Sequence, residues 1–154
     1  MATLNPQDAE RQLAGFVARF APEVAARATA AVAAMRDRLP GANLLVYDNY
    51  NALAVGFGAT ERSSDIVLSV AVFPRWVSLF LVGGPMLQDP KGLLKGTGST
   101  VRHIVLAGSS TLDDPDVRAL MDQALALAKA PIDPTASGAL IIKSVSAKQR
   151  PRRP

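Results

Sequence analysis

The chain contains no cysteine and a single histidine among its 154 residues. Without thiolates it cannot form a disulfide, an iron–sulfur site or a cysteine-based zinc site, and it has no cysteine nucleophile. Aromatic residues make up only 5% of the sequence, so a hydrophobic core must consist mainly of Ala, Leu, Val and Ile. The longest apolar stretch, residues 66–82, is interrupted by Pro74 and Arg75, which indicates two strands around a turn and no membrane span.

The remaining composition is that of one globular domain. Hydrophobic residues account for 49% and charged residues for 19%, and the length suits one continuous core. The net charge is +4, and residues 143–154 hold five basic residues and no acidic one, so the rest is nearly neutral. We therefore predict a single domain over residues 1–146 and a basic C-terminal tail over residues 147–154 that lies loose in solvent. No signal-like segment follows Met1, which predicts a cytoplasmic protein.

Hydrophobic periodicity predicts the element order α-α-β-β-β-β-β-α-β. Asn5 and Pro6 begin a first helix, Pro22 begins a second, and Asp114 with Pro115 begins a third. The predicted strands are residues 44–47, 53–57, 66–73, 76–82, 101–106 and 139–145. Because the strand connections are short, we expect an α+β fold with a mostly antiparallel sheet of five or six strands packed by three helices.

Several strands are apolar on both sides. In the last strand, for example, Leu140 and Ile142 alternate with Ile141 and Val145. Three helices are too few to cover both faces of such a sheet, which predicts a homodimer that buries the remaining face.

Three segments carry a resemblance to a known family. They are Trp76–Phe80, the run LQDPKGLLKGTG at residues 87–98, and Val101–Leu106. In this order they resemble the core of the YdhG-like family of small bacterial domains, mostly of unknown function, over roughly residues 8–130. The resemblance implies helices against an antiparallel sheet. Some relatives are described as frataxin-like iron chaperones, which bind iron on an acidic helix edge, whereas the first helix here offers only Asp8 and Glu10.

The segment 89–98 is the main candidate for a ligand-binding loop. Asp89, Pro90 and Gly92 occupy the positions that a type I turn prefers, and the backbone amides around Thr97 can bind an anion. The same features also fit a purely structural loop. The predicted ligand-binding residues are Asp89, Lys91, Lys95, Thr97, Arg102, His103, Tyr47 and Trp76. Tyr47 and Trp76 join this set because aromatic side chains often line pockets, although they can equally close the edge of the core.

Two further groups allow chemistry, each beside a structural interpretation. His103 can act as an acid–base group if a hydroxyl and a carboxylate lie beside it, but no spacing links it to such partners, which favours a structural or surface histidine. Asp113, Asp114 and Asp116 can hold a hard cation. They can equally cap the third helix, where acidic residues favour the helix dipole.

Together these features predict a non-enzymatic, chaperone-like module that binds a small molecule or metal beside residues 89–103. The alternative is an enzyme with its active site at His103 and the loop 89–98. Contact with nucleic acid is expected only weakly, through residues 148–153 of the basic tail. The sequence assigns neither a cofactor nor the identity of the ligand.

Overall fold

The computed structural model describes residues 5–154. The helices are α1 (Pro6–Ala18), α2 (Pro22–Arg38) and α3 (Pro115–Ala126), and the strands are β1 (Asn43–Asp48), β2 (Leu53–Gly58), β3 (Ile66–Val72), β4 (Val77–Val82), β5 (Val101–Leu106) and β6 (Leu140–Val145). This confirms the α+β class and the predicted element order. Within the described residues, none of the helices combines the length and apolar character needed to cross a membrane.

Local sequence signals account for the helix starts. The side chain of Asn5 accepts a hydrogen bond from the Asp8 amide at 2.9 Å, and the side chain of Asp114 accepts one from the Asp116 amide at 2.8 Å. Each of the three helices also has proline in its first turn, where the missing amide proton costs nothing. The cap interpretation of the aspartate cluster is thereby confirmed. Residues 5–154 contain no group of three or more His, Cys, Asp or Glu side chains that could hold a metal ion.

The sheet has six strands in the order β5-β4-β3-β2-β1-β6. All neighbours are antiparallel except β1 and β6, which are parallel because α3 carries the chain from one edge of the sheet to the other. Val46, Val55, Val70, Leu79 and Ile104 are register partners and form one row across five strands. This row joins the buried side chains of the helices in one hydrophobic core.

Among residues 5–154, the helices pack their buried side chains into the core on one side of the sheet, and no helix covers the opposite side. Residues that alternate with the core row form this second sheet face; its larger side chains are Tyr47, Phe73, Trp76, Phe80, Val82, His103 and Val105. Val105 remains 45% exposed. Leu45, Ala71 and Ser78 on the same face are buried, so only part of the face is available to a partner, and the predicted homodimer stays a prediction.

The expectation of a loose C-terminal tail is wrong. The amide of Ser146 donates to the carbonyl of Asp48 at 2.8 Å, and the amide of Arg150 donates to the carbonyl of Tyr50 at 2.9 Å. Arg152 is only 3% exposed. The physical reason is that the buried carboxylate of Asp48 needs a cation, and the tail supplies it.

Two glycines with opposite surroundings give a test of this packing. A Cβ atom on Gly138 would overlap the carbonyl oxygen of Ala42, whereas one on Gly15 would meet nothing within 4 Å. We expect Gly138→Ala to lower the free energy of unfolding by about 1–3 kcal/mol because backbone cannot move aside cheaply. Gly15→Ala in α1 should raise it by about 0.5–1 kcal/mol. Urea unfolding followed by circular dichroism measures both, and an unchanged Gly138→Ala midpoint would contradict the packing.

Candidate functional site

The structure separates the eight predicted site residues. Six of them lie along the segment 89–103, where Lys95 forms an isolated backbone bridge with His103 beyond the edge strand β5. Tyr47 lies in β1, and Trp76 lies at the turn between β3 and β4. The hydroxyl of Tyr47 is buried and has no hydrogen-bond partner among the described residues, so this side chain belongs to the packed part of the sheet.

Internal contacts occupy much of the charge in the predicted binding loop. The two carboxylate oxygens of Asp89 accept hydrogen bonds from the amides of Leu93 and Leu94 at 2.9 and 2.8 Å. The ammonium of Lys91 donates to the carboxylate of Asp116 at 2.7 Å, and this hydrogen bond raises the pKa of Lys91 above its ordinary value. These contacts fasten the loop to α3 and support its structural interpretation.

The remaining members of the loop set point to different sides. The Nε of Arg102 donates to the carbonyl of Gly98 at 2.8 Å, and Thr97 is exposed. The ring of His103 lies on the second sheet face and stacks on Phe80 with 5.1 Å between ring centroids. Within residues 5–154 the imidazole makes no hydrogen bond to a hydroxyl or carboxylate. The arrangement that acid–base catalysis by His103 requires is therefore not assembled.

An open cleft lies at the end of the sheet where the β3–β4 turn meets the C-terminal tail. Its volume is about 690 Å³. We call it the tail cleft; its walls include the aromatic pair Phe73 and Trp76 and three arginines, Arg75, Arg150 and Arg153. The residues that line it include no aspartate or glutamate. The volume is in the range of small-molecule sites in proteins.

The aromatic wall of the tail cleft is set by a two-residue turn. Pro74 and Arg75 connect β3 to β4, and the amide of Phe73 donates to the carbonyl of Trp76 at 2.9 Å. The hairpin brings the two rings together at 4.8 Å between centroids with an angle of 19° between planes. Trp76 remains 41% exposed, so the indole is accessible to a ligand while Phe73 holds it in place.

A buried ion pair fixes the other wall. The Nη2 of Arg152 lies 2.9 Å from the Oδ1 of Asp48, and the two side chains are 2% and 1% exposed. The Nη1 of Arg19 approaches the second carboxylate oxygen of Asp48 at 3.5 Å. Gln149 accepts from Arg19 at 2.6 Å and donates to the Asp48 carbonyl at 2.8 Å. These contacts hold residues 149–153 in one position, with Arg150 and Arg153 on either side of Arg152 in the sequence.

Arg150 and Arg153 of the tail cleft contact neutral groups. The guanidinium of Arg150 lies 5.5 Å from the ring centroid of Tyr50, and the Nε of Arg153 donates to the carbonyl of Arg19 at 3.1 Å. Neither of them, nor Arg75, forms an ion pair with a carboxylate of residues 5–154. Guanidinium groups bind carboxylate and phosphate through paired hydrogen bonds, so the cleft is chemically suited to an anion.

A groove between α1 and α2 forms a second cavity, with a volume of about 450 Å³. Small apolar side chains, mainly alanines, line it. Its charged groups already satisfy each other, because Arg36 donates to Glu10 at 2.6 Å, and the hydroxyl of Thr29 donates to the carbonyl of Ala25 at 2.9 Å. The polar groups of the groove already have partners in the chain, whereas the arginines of the tail cleft have no carboxylate partner among residues 5–154, so the tail cleft is the stronger site for an anion.

Sequence analysis identified Trp76 but missed the arginines that share its cleft. The available signal was Asp48, a carboxylate at the end of an otherwise apolar strand, because a buried charge requires a partner elsewhere in the chain. Comparison of the chain with models of known families, with curated proteins and with solved structures finds no match. The site must therefore be interpreted from its own chemistry.

Proposed function

We propose that the protein is a non-enzymatic binding module that holds a small anionic ligand with a flat ring in the tail cleft. The observation that carries the proposal is the exposed indole of Trp76 beside three arginines that have no carboxylate partner in the described chain. The proposal keeps the predicted class of function but moves the ligand from residues 89–103 to the sheet end. The resemblance to YdhG-like domains and the implied iron handling stay predictions.

Each part of the ligand meets a matching group. A phosphate or carboxylate accepts hydrogen bonds from Arg75, Arg150 or Arg153, and hydrogen bonds to charged groups contribute about 1.5–3 kcal/mol each. A planar ring stacks on Trp76, whose position is fixed by Phe73. The enzyme alternative at His103 has no comparable support, since its ring contacts Phe80 and lacks the hydrogen-bonded partners that catalysis needs.

The only tryptophan of the sequence lines the tail cleft and so reports binding directly. We expect adenosine monophosphate and pyrophosphate each to change the Trp76 fluorescence in a saturable way, with the larger change for the nucleotide, which can stack on the indole. Combined replacement Arg150→Gln and Arg153→Gln should weaken binding by at least about tenfold, as expected from the loss of a charged hydrogen bond.

The matched control is Arg62→Gln. Arg62 is exposed, lies outside the tail cleft, and its side chain forms no hydrogen bond with the described residues. Its replacement should leave both affinities unchanged. If neither ligand saturates the signal at millimolar concentration, or if the Arg62 variant weakens binding as much as the double variant, the tail cleft is not the binding site.

A further inference from the structure

The second sheet face carries two stacked aromatic pairs in line. Phe73 and Trp76 form the first pair at the tail cleft, with 4.8 Å between centroids, and Phe80 and His103 form the second, at 5.1 Å. Trp76 and Phe80 lie on the same side of one strand and are four residues apart, a distance of about 13 Å at the rise of a β-strand. Between them lies Ser78, which is 1% exposed and whose hydroxyl is buried without a hydrogen-bond partner in the described chain, so the strip between the two pairs offers no accessible side chain.

The charged residues nearest the two aromatic pairs are basic. Three arginines lie at the tail cleft, and Lys95 lies at the other end, where its amide donates to the carbonyl of His103 at 2.8 Å. In the described chain, none of the residues that β1–β5 contribute to the second sheet face is acidic. A row of partly exposed rings, of which Trp76 is the most exposed, with cations at both ends suits a polyanion that carries flat rings.

A second copy of the chain is a poorer occupant of this face. In a symmetric dimer each face would meet the same face of its partner. The arginines would then find no carboxylate from the facing strands, because β1–β5 place none on the second sheet face in the described chain. The charge pattern therefore favours nucleic acid over self-association.

We propose that single-stranded nucleic acid lies along the second sheet face, from the tail cleft to His103. The proposal rests on the proposed function, because the tail cleft would hold the first base and its phosphate. The platforms are separated by about 13 Å, more than one nucleotide step, and a base can stack on a protein ring only if that face is not stacked on a neighbouring base, so the bound bases must be unstacked. The bases of a single strand can unstack in this way, whereas those of a duplex cannot. Stacking on Trp76 and Phe80 tolerates any base.

Competition against a fluorescein-labelled octathymidylate tests the proposal at low salt, with unlabelled thymidylates of one to eight nucleotides and the matching uridylates and deoxyuridylates. We expect affinity to rise by about 5- to 150-fold between the mononucleotide and the tetranucleotide as the second platform is engaged, from a stacking contribution of about 1–3 kcal/mol per base. If three phosphates are bound, the logarithm of the association constant should fall with the logarithm of the salt concentration, with a slope of about −2.

The variant Phe80→Leu separates the proposal from the proposed function. It should weaken binding of the octanucleotide by about tenfold and leave the affinity for the mononucleotide unchanged. The control Phe16→Leu on α1 should alter neither affinity. Unchanged mononucleotide binding by Phe80→Leu also shows that the variant is folded. If the mononucleotide binds but longer strands bind no tighter, the inference fails and the proposed function stands. If octanucleotide binding responds to Phe80→Leu but not to Arg150→Gln with Arg153→Gln, the tail cleft fails instead.

Self-association through the same face gives a distinct result. Sedimentation would then show twice the mass of one chain, and the octanucleotide would neither bind nor dissociate that dimer. This outcome would overturn the inference. Preference between uridylate and deoxyuridylate of equal length, which differ only in the 2′-hydroxyl, would identify RNA or DNA as the source of the bound strand.

Discussion

Replacement of Arg152 by methionine is expected to lower the free energy of unfolding by about 3–5 kcal/mol, the typical cost of leaving one partner of a buried ion pair uncompensated. Asp48 would remain 1% exposed, with Arg19 at 3.5 Å as its nearest cation and no hydrogen bond from a guanidinium. The methionine also removes the hydrogen bond that Arg152 donates to the carbonyl of Asn49. Chemical denaturation of the full chain measures the loss.

Two further variants isolate the cause. Lys148→Met changes an exposed basic residue of the same tail, whose side chain contacts no carboxylate of the described chain, and should stay within about 0.5 kcal/mol of the original. Combining Arg152→Met with Asp48→Leu should recover most of the loss, because well-packed apolar residues can replace a buried ion pair at little cost. A loss for Arg152→Met no greater than that for Lys148→Met would show that the ion pair does not hold the tail.

Truncation of Phe20 to alanine is expected to have an effect of similar size. Phe20 is 1% exposed in the hydrophobic core, directly after α1, and the guanidinium of Arg152 lies 5.5 Å from the centre of its ring. Deleting a fully buried phenyl group costs about 3–5 kcal/mol through lost burial and the cavity left behind. The same denaturation experiment measures this loss.

The ring of Phe20 also contacts Arg152 of the tail. A milder variant separates its role in the core from this contact. Phe20→Leu keeps most of the volume and should cost less than about 1.5 kcal/mol. Because Phe20 and Arg152 are in contact, Phe20→Ala and Arg152→Met should not add, with a coupling of about 0.5–3 kcal/mol. Strict additivity, or a Phe20→Leu loss equal to that of Phe20→Ala, would contradict this account.

The elements of the fold were predictable because their signals are local. Asn5 and Asp114 cap helices through residues two or three positions further along, and the alternation in β3 and β4 lies within a few residues of Pro74. The parallel pairing of β6 with β1 was not predicted. It joins residues about a hundred positions apart, and no short-range pattern specifies which edge of the sheet a late strand will reach.

The candidate site was predictable in part for the same reason. From the sequence, Lys91 could bind an anion, but in the fold it pairs with Asp116. The basic tail could likewise be solvated, but in the fold its Arg152 pairs with the buried Asp48. Trp76 was identified because aromatic side chains often line pockets, but two of its arginine neighbours, Arg150 and Arg153, come from the far end of the chain. Electrostatic pairing between distant segments decides which charges remain for a ligand.

The edge position of β6 has a consequence for solubility. Without β6, the buried and strongly apolar strand β1 would offer a row of unpaired backbone groups to any neighbouring chain, the usual start of intermolecular β-pairing. Strand β6 is itself more exposed than β1, and its Lys143 donates to the carbonyl of Glu61 at 2.9 Å. Charged, exposed edges resist such pairing. The ion pair between Asp48 and Arg152, which holds the segment following β6, therefore also protects the molecule against aggregation.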